Sequence, residues 1–273
     1  MNKVAIIFIL LLSVIACQSK KESALEIVEG EPKIQIESAP IVKVNARTIG
    51  PPKSAEQLLI EEAVMKMKIN ESEPSIGYWV GMFGKNKINI AIAEIDQGKA
   101  LGYTVCAGNY RPITGLVNIV QGEYQFDMNE PGTDQYDGHF VFTINPDSNS
   151  LSGNWDPFKK GIVAGKKYKL VKMVYSYNAE IGKYPQASNR LLTKDDVENL
   201  LPAELEFMRN EIYARHGYSF KDREDRMQFD SIDWYIPMGI DIRDKLTDIE
   251  VQNIDLVYTY EEYYNESYDD YGR

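Results

Sequence analysis

The stretch 87-KINIAIAEID-96 sets Ile88, Ile90 and Ile92 against Asn89, Ala91 and Ala93 in strict alternation. Side chains two apart share one face of an extended chain, so this spacing predicts a half-buried β-strand. The same alternation returns in 138-GHFVFTI-144, where Phe140, Phe142 and Ile144 oppose His139, Val141 and Thr143. Working outward, aromatic and β-branched runs recur as 78-YWVGMF-83, 99-KALGYTVCAG-108, 110-YRPITGLVNIV-120, 123-EYQFDM-128, 150-SLSGNW-155 and 166-KKYKLVKMVY-175. Gly, Asn, Asp and Pro separate them, and connections as short as 145-NPDSNS-150 force neighbours in sequence to pair antiparallel. Residues 75–175 therefore read as an eight-stranded up-and-down meander. Closure into a barrel removes the two edges that an open sheet would expose. A β-sandwich built from the same strands stays open at this point. So does the interior of a barrel of this size, which can be filled by side chains or left as a cup for one small ligand.

The barrel region resembles lipocalin-like and streptavidin-like barrels, with Gly77-Tyr78-Trp79 standing where the lipocalin Gly-x-Trp opens the first strand. Gly153-Asn154-Trp155 repeats that spacing late in the region, so the tripeptide alone is a weak fingerprint. Upstream, 54-SAEQLLIEEAVMKMK-68 pairs Ser54 with Gln57 as a capping box and repeats Leu59, Ala63 and Met67 at helical spacing, which predicts a short helix over 54–68.

The chain begins 1-MNKVAIIFILLLSVIACQSKK-21. The apolar run from Val4 to Ile15 is shorter than the roughly 20 residues that span a bilayer, so residues 1–16 read as a signal peptide. Val14-Ile15-Ala16-Cys17 resembles the bacterial lipobox. That resemblance implies cleavage before Cys17, lipid on its thiol, and a mature protein anchored to a membrane through that lipid. Only Cys17 and Cys106 are present, so a lipidated Cys17 leaves no intramolecular disulfide to form. Residues 17–53 mix Lys, Glu, Pro and Gly without a period and read as the lipidated N-terminus and a flexible tether, with a coil reach of roughly 35 Å.

The net charge of −11 is unevenly placed. Residues 189–273 hold 10 Lys and Arg against 21 Asp and Glu, whereas the first 188 residues balance at 20 and 20. An acidic C-terminal third argues against a nucleic-acid partner, which needs a basic surface.

That third opens with 189-NRLLTKDDVENLLPAELEFMRNEIYARHGYSF-220. Thr193 and Asp196 form a capping-box start, and Pro202 suits the first turn of a helix running to about Arg215. Leu205, Met208 and Ile212 give it an apolar stripe, and Glu211 and Arg215 form an i,i+4 pair worth about 0.2–0.5 kcal/mol on an exposed face. Gly217 is positioned as the left-handed residue of a helix stop, with His216 in the last turn and Tyr218 and Phe220 folding back over the stripe. Residues 221–232 read as another short helix, Trp234 to Pro237 as an extended aromatic lid, and Thr247 with Glu250 as the start of a final helix. The Tyr-rich acidic tail 265–273 is expected to fray beyond about Tyr264.

Leu205, Arg209, Asn210, Glu211, Ile212, Tyr213, Ala214, Arg215, His216, Gly217, Tyr218 and Phe220, followed by Phe229, Trp234, Tyr235 and Pro237, resemble the YARHG domain, a small module of bacterial secreted and envelope proteins. The resemblance covers roughly residues 190–263. It implies an extracytoplasmic helical module over 189–264 and brings no activity with it. Arg209, Asn210, Glu211, Tyr213, Arg215, His216, Gly217, Trp234 and Tyr235 are accordingly structural motif residues.

Other chemistry finds little to build on. His216 and His139 are the only histidines and fall in different regions, which is poor material for zinc. Cys106 with His139 lacks a third orienting group for nucleophilic catalysis. Within 127-DMNEPGTDQYDG-138, Asp127, Asn129 and Gly132 match EF-hand loop positions, but position twelve is Gly138 instead of Glu. No cofactor, metal or catalytic residue is assigned. The expected architecture is multidomain, an all-β barrel followed by a small all-α domain. The expected protein is a membrane-anchored envelope lipoprotein, on the periplasmic or surface face of the outer membrane. It would act as a non-enzymatic binding module for a small apolar ligand or a protein partner. A cell-wall-associated hydrolase and an acidic scaffold recruiting a basic protein are the competing readings.

Overall fold

The computed structural model describes residues 55–67, 73–132 and 135–267. The signal peptide, Cys17, the tether and residues 268–273 lie outside the described residues. Helix α1 (Ala55–Met65) precedes eight strands, β1 (Gly77–Phe83), β2 (Asn86–Asp96), β3 (Lys99–Cys106), β4 (Asn109–Val120), β5 (Glu123–Asn129), β6 (Gly138–Asn145), β7 (Ser150–Pro157) and β8 (Lys166–Met173). Each strand pairs antiparallel with the next, and β1 pairs with β8 from Tyr78↔Met173 to Met82↔Lys169, so the meander closes as a barrel. The sandwich alternative is thereby set aside. Tight turns make the closure possible. Ala107 and Gly108, between β3 and β4, both take positive φ (50° and 71°), the twist that a two-residue hairpin requires.

The alternation read from sequence holds on the inner face. Trp79, Ile90, Phe126, Met128, Phe140, Phe142 and Leu170 are buried and pack on one another, so the body of the barrel is filled by side chains.

The outer face of β2 departs from the alternation, because Lys87, Asn89 and Ala91 are buried as well. Ala91 lies under a cluster of Tyr103, Val105, Tyr78, Tyr110 and Val64 of α1. Lys87 and Asn89 are covered by the C-terminal region. Lys87 Nζ donates to the carbonyls of Ile232 (2.6 Å) and Tyr235 (3.2 Å), and the Asn89 amide donates to the carbonyl of Pro237 (3.0 Å). The Lys87 backbone N–H donates to Asp230 (2.9 Å), and Val80 of β1 packs on Ile236 and Met238. Barrel and helices form one compact body.

Among the described residues, five helices follow the barrel, α2 (Gln186–Asn189), α3 (Lys194–Val197), α4 (Pro202–Arg215), α5 (Arg223–Phe229) and α6 (Asp248–Ser267). Leu205, Met208 and Ile212 of α4 pack against Phe220, Phe229, Tyr235, Ile254 and Val257. Phe229 is sandwiched between Phe207 (5.1 Å) and Phe220 (4.6 Å). The caps read from sequence are present. Thr193 N–H donates to Asp196 (2.7 Å), and Thr247 N–H donates to Glu250 (2.9 Å) while Thr247 Oγ1 accepts from Glu250 N–H (3.2 Å). Helix α4 stops at Gly217 (φ 74°), with Tyr218 N–H on the Tyr213 carbonyl (3.0 Å) and Gly217 N–H on that of Ala214 (2.9 Å), a Schellman motif. Helix α6 runs past Tyr264 to Ser267, further than the fraying expected from its composition.

Lys87→Met keeps the apolar stem but leaves the Ile232 and Tyr235 carbonyls without their buried donor. A loss of about 1–3 kcal/mol is expected in urea unfolding at unchanged slope; an unchanged midpoint would show that this contact does not join the two halves.

Candidate functional site

Above the filled interior, one end of the barrel opens into a cleft of about 480 Å³. Its apolar floor is made by Phe83, Ile88, Phe140 and Trp155, and its wall is completed from the helical side by Lys221 and Arg226. Three charged residues reach it from inside the barrel. Arg111 is in phase with Ile113 and Val117 on β4, Glu130 with Phe126 and Met128 just past β5, and Lys166 with Tyr168 and Leu170 on β8. A charge that falls on the apolar phase near a strand end marks an inward-facing side chain at a barrel mouth, and the sequence carried that signal unread.

Arg111 Nε lies 3.2 Å from Asp137 Oδ1 and 3.9 Å from Glu130 Oε1. Glu130 Oε2 accepts from Gly138 N–H (2.7 Å) and from the Trp155 indole N–H (3.3 Å). Burial outweighs the opposing pull of Arg111 and these donors and pushes the Glu130 carboxyl up to about 7. The Lys166 ammonium sits 4.1 Å from the Phe83 ring centre and 5.3 Å from that of Trp155, and burial lowers its pKa. Burial also pushes the Cys106 thiol up to about 12, which keeps it protonated and a poor nucleophile.

The YARHG motif residues form a second, buried constellation. Glu211 and Arg215, the i,i+4 pair of α4, are almost wholly excluded from solvent, with Nη2 2.8 Å from Oε2. Glu211 also accepts from the backbone N–H groups of Lys183 and Tyr184 (2.7 Å each), and Arg215 donates to the Ile181 carbonyl (2.8 Å) and the Ser188 hydroxyl (3.1 Å). His216, capping α4, places Nε2 2.7 Å from Glu250 Oε2, and Tyr177 stacks on its ring at 4.5 Å. Ser188 and Tyr177 donate to the other Glu250 oxygen at 2.7 and 3.0 Å. Burial by itself would raise the Glu250 carboxyl, but the hydrogen bond and charge of His216, with Thr247 and Ser188, hold it below its ordinary value. The capping glutamate of α6 is thus also the partner of the motif histidine, which sequence could not show across 34 residues.

The remaining motif residues lie in the same helical region. Arg209 pairs with Glu261 (3.1 Å) and lies 4.7 Å from the Tyr258 ring, Asn210 donates to Asp225 (2.7 Å), Tyr213 and Tyr235 are buried in the core, and Trp234 packs at its edge. His139 points out of the barrel wall, opposite in phase to inward Phe140, and meets Asp127 at 2.7 Å. Cys106 faces the mouth, so the wall separates the two. Asp127 and Asn129 belong to β5, and among the described residues no three His, Cys, Asp or Glu side chains group as a metal site.

Glu130 is held near 7 in the folded chain against 4.5 for the free group. Its folded-state pKa is the higher one, so stability is full below about 4.5 and declines as pH rises through 7. Glu130→Gln retains an acceptor and has nothing to titrate. It should be level with wild type near pH 4.5 and more stable at pH 8 by roughly 1–3 kcal/mol in chemical denaturation; a pH-independent difference would contradict the assignment.

No curated protein matches the chain. Among solved structures, apo lipid binding protein 8 of Caenorhabditis elegans aligns at 12% identity over 39% of this chain and 100% of its own, with a TM-score of 0.24, too low to support any reading. The YARHG domain family matches residues 182–262, a start seven residues before the expected 189. The earlier start takes in Lys183 and Tyr184, whose amides hold Glu211. Residues 182–262 of the C-terminal helical region thus match the YARHG domain, and the motif letters spell out a buried network.

Proposed function

We propose that the protein is a lipid-anchored, non-enzymatic binding module of the bacterial cell envelope, on the periplasmic or surface face of the outer membrane, with the cleft at the barrel mouth as its ligand site. The observation that carries the reading is that cleft, an aromatic floor with convergent charged groups above an otherwise packed barrel. The YARHG domain supplies part of its wall through Lys221 and Arg226, which gives the joining of the two folds a purpose. Anchoring is supported by Val14-Ile15-Ala16-Cys17 behind a short apolar run. The non-enzymatic part is supported by the histidines. His216 is buried against Glu250, His139 lies on the outside of the barrel wall, and neither lines the cleft.

In a bacterial host, Cys17→Ser should abolish incorporation of labelled fatty acid and move the protein from membrane to soluble fraction. Native mass spectrometry of that soluble full-length variant should show a retained small molecule. The adduct should vanish when Asn109, exposed on the cleft rim, is also changed to Trp. Unchanged membrane association would remove the anchor from the reading, and an adduct indifferent to Asn109→Trp would remove the cleft.

A further inference from the structure

We infer that the cleft takes a small organic anion with a flat apolar body, its acidic group held by Lys166, Lys221 and Arg226 and its body laid on Phe83, Phe140 and Trp155. This rests on the cleft being the ligand site and adds the chemistry of its occupant. In a chain of net charge −11, the described residues that line this cleft include four cationic side chains, Arg111, Lys166, Lys221 and Arg226, against one carboxylate, Glu130. Arg111 is already engaged by Asp137 and Glu130. Among the described residues, Lys166, Lys221 and Arg226 have no carboxylate within 4.0 Å. A cation held over aromatic rings and left without a counter-ion is poised for an anionic group that can meet it there. Lys85 and Arg223 extend the positive rim, lining a hollow that shares Asn86 and Arg226 with the cleft.

The floor is apolar, and aromatic faces offer stacking area to a flat body. Behind it, the buried Tyr168 hydroxyl has no hydrogen-bond partner among the described residues, while its ring packs on Phe83 (5.5 Å) and Phe140 (6.1 Å). Neither a purely apolar ligand nor a bare inorganic anion uses both halves of the cleft.

Glu130 adds a regulatory element. Among the described residues, Arg111, Asp137 and Lys166 are the charged groups about it, with the Tyr168 phenol and the Cys106 thiol nearby. An ionised Glu130 offsets the cations that an anion needs, and a protonated one does not. Affinity for an anion of fixed charge should therefore rise as pH falls through about 7, with proton uptake on Glu130.

Isothermal titration of the full-length soluble Cys17→Ser protein with naphthalene-1-sulfonate, 1-naphthol and inorganic sulfate tests this. The sulfonate is expected to bind about tenfold more tightly than either half-probe, and Lys166→Gln and Lys221→Gln should each weaken it by about tenfold, the loss of one charge-assisted contact. Its binding should also tighten from pH 8.5 to 6, and Glu130→Gln should flatten that slope, which separates Glu130 from any titration of Lys166. If 1-naphthol binds as well as the sulfonate and both lysine variants are silent, the anion is wrong while the cleft remains a ligand site. Sulfonate binding that survives both lysine changes places the anion elsewhere and overturns the inference. If no probe binds, the inference and the binding reading fall together.

Discussion

A lysine ammonium and an asparagine amide buried on the outside of a β-strand must be given hydrogen-bond acceptors, because an unpaired buried donor costs more than most side-chain contacts return. On β2 those groups are Lys87 and Asn89, and the carbonyls that satisfy them belong to Ile232, Tyr235 and Pro237 of the YARHG domain. The barrel therefore carries on its outer wall a polar demand that the helical domain meets. Apolar contacts of Val80 with Ile236 and Met238 reinforce the join, but such contacts have little directionality, whereas the hydrogen bonds set where segment 232–237 must lie. The match is not complete, since Asn89 Oδ1 has no partner among the described residues.

The cleft follows from that placement. With segment 232–237 held against β2, Lys221, just before α5, lies against Gly108, whose N–H donates to Ser219 (3.0 Å), and Arg226 of α5 meets Asn86 (3.3 Å). Both cations then line the cleft together with Arg111 and Lys166. The helical domain can deliver them because buried hydrogen bonds tie its segments together. Glu211 gathers the chain at 183–184 to α4, and Glu250 gathers α6, Ser188, Tyr177 and His216 to one point. A buried charge pair of this kind is modest in net stability, but removing one partner strands the other at about 3–5 kcal/mol, so the arrangement is specific.

Much of this was legible in the sequence where a short-range rule governed it. Alternation in 88–92 and 140–144 gave the strands, tight turns gave the antiparallel order, and the caps at Thr193, Thr247 and Gly217 gave the helix ends. What escaped depended on long-range burial. Lys87 and Asn89 looked like the wet face of a strand because nothing local announces the domain that covers them. For the same reason the spacing of Glu211 and Arg215 says that they pair but not that the pair is buried, and Glu250 announces only a cap. Glu130 falls within the calcium-type stretch 127–138, yet its spacing from Phe126 and Met128 places it inward. Cys17 and the segments before residue 55 lie outside the described residues, so the lipobox stands on its sequence alone.

If Lys87 and Asn89 make barrel and YARHG domain one body, the two must melt together. Differential scanning calorimetry of the soluble Cys17→Ser protein measures this directly, through the ratio of calorimetric to van't Hoff enthalpy. A single transition with a ratio near one is expected. Two resolved transitions, or a ratio near two, would mean that the halves unfold independently and that the cleft between them is not a built site.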